Sequence, residues 1–182
     1  MKVTEQPLWI ATKDLHHACE QHVVGIAMAS GAPSRVWYAK WLRALYQIHS
    51  TIDDSHPETI RRTERLLKDL QDIGIETEDL VEATEYCAAL NNEKAIAGAA
   101  YVLTGAHLMG GEILRRRLHE YYPTKHLEWD DRKEALGVLS SLRSRTDINE
   151  EARNCFQALL YIMDEIAYSE PENTLPLQDD TV

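Results

Sequence analysis

The sequence predicts an all-α, single-domain helical bundle of about seven helices. Three observations carry that reading. Glycine and proline are scarce, 8 and 6 among 182 residues, while the helix-formers Ala, Leu and Glu are plentiful. Apolar residues recur at steps of three, four and seven along most of the chain. Start and stop signals divide the sequence into pieces of helix length. A chain of this size buries roughly 70% of its unfolded-state surface, and 44% apolar content is enough for one core. Residues 1–170 read as that domain. Residues 171–182 are acidic and aperiodic and read as a mobile tail.

The first helix should run from Pro7–Ala11 to about Ala29, with Leu15, Cys19, His22 and Ile26 toward the core, and Ser30-Gly31-Ala32-Pro33 ending it. Ser34 suits the cap of a second helix, whose stripe is Trp37, Trp41, Ala44, Leu45, Ile48 and Ile52. Pro57 suits the first position of a third, lined by Ile60, Leu66, Leu67 and Leu70 and stopped by Gly74. Glu58 with Arg62 and Glu64 with Lys68 read as i,i+4 pairs on its solvated face. Thr77 should cap a fourth helix to about Leu90, with Asn91 and Asn92 as the next joint. A sixth helix follows Asp130 with Leu136, Leu139 and Leu142 inside. Asp147 and Glu150 resemble a capping box before the last, which carries Ala152, Phe156, Leu159, Met163 and Ile166.

Between these lies the most informative stretch, residues 95–118. Ile96, Ala100, Leu103, His107 and Leu114 share one helical face, yet Gly105, Gly110 and Gly111 interrupt the sequence. Each glycine costs roughly 0.5–1 kcal/mol against alanine in a helix interior. An adjacent pair predicts a bend and a place where backbone can approach a flat ligand. A glycine-lined helix crossing explains the same residues. The run Arg115-Arg116-Arg117 suits the dipole at a helix C-terminus better than a ligand site.

The net charge of −11 argues against nucleic acid and anionic membranes as partners. No stretch of 18 apolar residues predicts membrane insertion, and no signal segment is visible at the N-terminus. Cys19, Cys87 and Cys155 are widely spaced and odd in number, which suits free thiols in a reducing compartment. A cytoplasmic location is therefore expected.

Four segments resemble one family, the haem oxygenases. Ala11-Thr12-Lys13-Asp14-Leu15-His16 is similar to the family's A-T-K-E-V-H, and Leu45-Tyr46-Gln47-Ile48-His49 to L-Y-H-I-Y. The glycine-bearing stretch resembles Y-T-R-Y-L-G-D-L-S-G-G-Q-V-L, with Tyr101, Leu108, Gly110, Gly111 and Leu114 on identical positions. Glu150-Glu151-Ala152-Arg153-Asn154-Cys155-Phe156 is similar to E-E-A-K-T-A-F. The four occur in the family's order and span residues 11–166.

The resemblance implies a haem-oxygenase-like bundle that binds haem as both substrate and prosthetic group. With O2 and electrons from an external donor, a reductase or ferredoxin, it would open haem to biliverdin and release CO and iron. His16 would be the proximal iron ligand; a neutral imidazole suits haem iron. Lys13, Tyr101, Gly110, Gly111 and Arg132 would contact the cofactor. Arg132 stands about where the family has a propionate-binding arginine, 20 residues before Ala152.

The departures are specific. The first distal glycine is Ala106 here, the serine is Met109, and the aspartate that anchors distal water is His107. An alignment with one extra residue would instead use Gly105 as the first glycine. Trp9 stands where some relatives have a propionate lysine. His107 thus has three fates: a core residue, a second iron ligand, or, the preferred reading, the catalytic anchor of distal water. Two other functions remain: haem handling without turnover, and a non-haem enzyme of the same fold, using such residues as Glu112 with His119 or Glu82 with Glu85.

Overall fold

The computed structural model describes residues 7–169; the acidic tail lies outside them. Among the described residues it contains nine α-helices and no strand: α1 Pro7–Gln21, α2 Val23–Ser30, α3 Arg35–Ile52, α4 Thr63–Ile73, α5 Val81–Ala89, α6 Glu93–Met109, α7 Gly111–Leu118, α8 Arg132–Arg143 and α9 Asn149–Tyr168. Short 3-10 turns lie at Asp53–Ser55, Glu58–Ile60 and Lys125–Leu127. Nine replaces seven because two expected helices are each broken once. No helix among the described residues is long and apolar enough to cross a membrane.

The first break is at His22. Its backbone is extended (ψ 144°) and its Nδ1 accepts from Val24 N, making it the N-cap of a new helix. The break resets the helical register. Val24 and Met28 turn inward, and Ile26, expected in the core, is 52% exposed. The second break is at Gly110, between α6 and α7, where the glycine pair predicts a bend.

Several ends differ from the sequence reading because remote side chains cap them. α4 begins at Thr63; Pro57 heads only a 3-10 turn. The α4 cap is the Asp53 carboxylate, which accepts from Arg62 N, Thr63 N and Thr63 Oγ1 at 2.6–2.8 Å. α5 begins at Val81, not Thr77, because Glu165 of α9 accepts from Val81 N and Glu82 N. Asp147 binds Arg145 and does not cap α9, which has no side-chain cap. Arg62 is buried, so the Glu58–Arg62 surface pair does not form, and Lys68 pairs with Asp72. Ser34 caps as expected, Asn92 in the expected joint caps α6, and Gly74 ends α4 at φ +64°.

α9 is the floor of the bundle. α1 and α2 run along it: Arg153 pairs with Asp14, Cys19 Sγ donates to Phe156 O, and His22 meets Asp164. α6 starts at the same end, where Glu93 pairs with Arg145 and Gly98 lies against Glu151 and Ala152. Three helices therefore rise together from one end of the molecule.

Candidate haem site

Two contacts pin α1–α2 to α6–α7. At one end the Tyr101 hydroxyl lies beside the Thr12 side chain. At the other, Arg117 donates to Ala29 O, and a Cβ on Gly31 would come within 3.0 Å of Arg117 Cβ and O. Apart from the α2–α7 contact, neither α1 nor α2 packs extensively on α6 or α7. These contacts join the two helix pairs, and α1, α2 and α6 all pack on α9.

His16 stands on one wall. Its side chain is 36% exposed and its Nδ1 lies 3.6 Å from Glu20 Oε2, while the next residue, His17, is 70% exposed. Trp9 and Phe156 meet the His16 ring edge-on at 5.3 and 5.7 Å between centroids. These rings hold the imidazole from two sides. Lys13 is exposed on the same helix. Arg153, singled out only as part of a motif, is held to Asp14 and to Ala11 O; it marks where α1 meets α9.

α6 and α7 carry an exposed apolar strip. Ala106 is exposed, Met109 and Ile113 are 54% and 57% exposed, and Gly110 is half-buried. These residues recur at steps of three and four, one face of a helix. Gly110 belongs to that strip. Gly111 does not: it is buried, and a Cβ there would touch Leu127 at 3.4 Å.

His107 and Arg132 lie on the opposite, inward side of α6. His107 is 6% exposed. Its ring stacks on His49 (5.5 Å, 15°) and meets His126 edge-on (5.6 Å). Two buried carboxylates stand behind those neighbours: His49 Nδ1 is 2.9 Å from Asp53, and His126 Nδ1 is 2.6 Å from Asp69. Each carboxylate accepts a hydrogen bond from the Nδ1–H of its histidine and fixes that ring's orientation. Burial first, then His49, His126 and Arg62, hold the His107 pKa well below its ordinary value, so the ring is neutral at pH 7. His107 Nδ1 and His49 Nε2 are buried without a protein partner. The i,i+4 spacing of His49 and Asp53 is a faint sign of one dyad. The separation of 57 positions between Asp69 and His126 hid the other.

An open cavity of about 330 Å³ adjoins this cluster, lined by His107, Glu112, Arg115, Leu127, Trp129 and Arg132 among others. Arg132 Nη2 donates to Leu108 O at 2.7 Å, satisfying a carbonyl in the last turn of α6. Arg62 stacks 3.5 Å over the Trp129 ring, and burial brings its pKa down to about 10. Glu112, considered for non-haem iron, is held by Arg115 and Arg116, and His119 Nδ1 by Arg116 O. Among the described residues no three His, Cys, Asp or Glu side chains are arranged to hold a metal ion between them.

The fold is that of the haem oxygenases. Haem oxygenase-1 from the cyanobacterium Synechocystis, solved in complex with haem, is similar at a TM-score of 0.76 and 18% identity, covering 87% of this chain and 90% of the other. Haem oxygenase from Leptospira interrogans is similar at 0.76 and 19%, covering 87% and 97%. Haem oxygenase-2 from Synechocystis, in complex with haem and NO, is similar at 0.71 and 22%, covering 87% and 83%. No protein-family model matches the chain, and no curated protein matches it.

Proposed function

We propose that this protein binds haem in the slot between α1–α2 and α6–α7, with His16 as iron ligand, and opens the ring to biliverdin, CO and iron. The observations that support the reading are the half-exposed His16 ring on α1 and the exposed apolar strip with Gly110 on α6–α7, in a fold similar to that of haem oxygenases. An accessible imidazole stands on one wall and an apolar strip with a glycine at its kink on the other, and the frame is fixed at both ends. A planar macrocycle needs those features: a neutral nitrogen donor on one face and close, side-chain-poor backbone on the other. Bound haem would supply the O2 chemistry, with electrons from an external reductase or ferredoxin.

The chain's own residues then have separable tasks. Trp9 and Phe156 orient the His16 ring. Ala106, Met109, Gly110 and Ile113 cover one face of the ligand and exclude water from it. Lys13 is the cation on α1 suited to a propionate, and Tyr101 closes the slot at the Thr12 end. Arg132 is engaged at Leu108 and supports the kink from behind. Gly111 acts through packing on Leu127. His107 manages water and protons on the inner side of α6.

The test is turnover of the purified protein with haem, a reductase system, O2 and catalase, the last because peroxide bleaches haem without an enzyme. Decay of the Soret band with bilin and CO formed supports the reading. A stable haem complex that yields no bilin supports haem handling instead, which the loss of the distal aspartate favours.

A further inference from the structure

The elbow between α1 and α2 turns on one side chain. The His22 backbone is extended, at φ −66° and ψ 144°. Its Nδ1 accepts from Val24 N at 3.2 Å, and its Nε2 lies 3.2 Å from Asp164 Oδ1 of α9. These two bonds admit one protonation state. A nitrogen that accepts from an amide carries no proton, and a nitrogen that donates to a carboxylate carries one. His22 is therefore the neutral Nε2–H tautomer while it caps α2. The usual N-caps, Ser, Thr, Asn and Asp, keep their acceptor oxygen across the neutral range. An imidazole loses its acceptor as soon as it takes a second proton.

The elbow is tight and is tied at both ends. A Cβ on Gly25 would collide with Cys19 O, so the first turn of α2 rests on the last turn of α1. Cys19 follows His16 by one helical turn; its Sγ donates to Phe156 O, and the Phe156 ring meets His16. At its far end α2 meets α7, where Arg117 donates to Ala29 O and Gly31 lies against Arg117. α2 thus joins the helix that carries His16 to the helix that carries Ile113. Few charges face His22. Asp164, 51% exposed, meets the ring from α9, and Glu165 beside it is engaged by Val81 N and Glu82 N. α2 has no titratable side chain. On α1 Glu20 is turned to His16 and His17, and Arg117 of α7 stands at the opposite end of α2.

We propose that His22 is a proton-operated hinge: uncharged it caps α2, and charged it releases the Val24 amide and keeps only Asp164, so that α2 loosens between the His16 helix and α7 as pH falls. The step is a proton transfer alone. A solvent proton takes the Nδ1 lone pair that Val24 N–H had filled, no electron moves, and loss of that proton at higher pH restores the cap. With Nδ1–H set against Val24 N–H, two donors face one another and the cap cannot persist. The bond from Nε2–H to Asp164 becomes charge-assisted and stronger. The ring therefore stays on α9, and it is α2 that gives way. As a property of the elbow this stands by itself; as a control on ligand release it rests on the haem-binding reading.

The experiment uses the full chain, haem-free and labelled with 15N. The ring nitrogen shifts of His22 should show the Nε2–H tautomer at pH 8. From pH 8 to 5 the protection of the Val24 amide against exchange, corrected for the intrinsic rate at each pH, should fall at least about fivefold, the ratio a typical N-cap contributes. The fall should run in step with protonation of the His22 ring, while amides in the middle of α9 keep their protection. His22→Asn, an N-cap that does not titrate, should keep the Val24 protection and lose its pH dependence. An Nδ1–H tautomer at pH 8, or Val24 protection unmoved as the ring takes its proton, overturns the proposal without any variant. So does a folded His22→Asn protein whose Val24 protection falls with pH as the parent's does. In the haem-loaded protein, transfer of haem to excess apomyoglobin should accelerate between pH 7.5 and 5.5 by at least about threefold more in the parent than in His22→Asn. Equal acceleration would overturn the part of the hinge in ligand release. Failure of both proteins to take up haem would count against the haem-binding reading and leave the exchange result standing.

Discussion

Gly98 of α6 lies directly against Glu151 of α9: a Cβ on the glycine would be 2.6 Å from Glu151 Cβ, 2.7 Å from its carbonyl carbon and 2.9 Å from Ala152 N. Two of those atoms are backbone and cannot move aside. Gly98→Ala gains helix propensity but must part the two helices, and overpacking of this kind costs about 1–3 kcal/mol. Thermal melts should show a Tm lower by about 2–10 °C. A melt unchanged or raised would mean that α6 and α9 shift at little cost.

The second prediction separates two adjacent histidines. His16 has the half-exposed ring between Trp9 and Phe156, and His17 points outward. His16→Ala should remove the histidine-ligated Soret spectrum of a haemin complex, and His17→Ala should leave it. Loss of that spectrum only in His17→Ala would refute the assignment of the ligand.

The paired glycines should behave differently from one another. Gly110 lies on the slot strip, and a Cβ there meets only Ala106 O at 3.2 Å; Gly111 faces Leu127. Gly110→Val should weaken haem binding or change the bilin isomer with most of the helix content kept. Gly111→Val should lower Tm by about 3–10 °C through overpacking. Equal effects on affinity and stability in both variants would contradict this division.

Stability should depend on pH through the histidine chamber. Burial first, opposed in His126 by Asp69, holds His107 and His126 below 6.5 in the folded protein. Unfolding frees both to bind protons at their ordinary value. Stability is therefore full above about pH 6.5 and falls as pH drops from there toward the folded pKa values, by up to about 1.4 kcal/mol per pH unit per proton. His107→Phe removes one such proton, and denaturant titrations between pH 7 and 5 should show a shallower decline. Asp53 acts lower: burial raises its pKa, but bonds from His49 and Thr63 bring the net value below 3.8, so its contribution disappears only in stronger acid. A parent whose stability is flat from pH 7 to 5 would show that the chamber imposes no such penalty.

The fold was legible where structure is local. The stripes of α3, α6 and α9, the Ser34 cap, the Asn91–Asn92 joint and the Gly74 stop follow from neighbours within a few residues. What was not legible depends on partners far along the chain. Asp53 starting α4 across a 3-10 turn and Glu165 starting α5 from 83 or 84 residues away leave no periodic trace. The His22 break was hidden because a histidine rarely announces an N-cap, and one extended residue re-aimed all of α2. The kink at Gly110 was readable from glycine chemistry. The inward aim of His107 was implied by its place on the apolar face, but the two carboxylate-backed imidazoles around it needed the fold.

The exposed strip of α6–α7 has an energetic consequence under the proposed function. Met109 and Ile113, more than half exposed, face water unless something covers them. Under the proposed function, the contacts at Thr12–Tyr101 and Gly31–Arg117 would hold α1–α2 and α6–α7 in place before haem arrives, so that little ordering entropy would oppose its entry. Whatever fills the slot binds the folded chain and not the unfolded one, so occupancy itself becomes a source of stability that grows with ligand concentration. A pool of this protein would therefore report ligand supply in its own lifetime, persisting when the ligand is abundant and turning over faster when it is scarce.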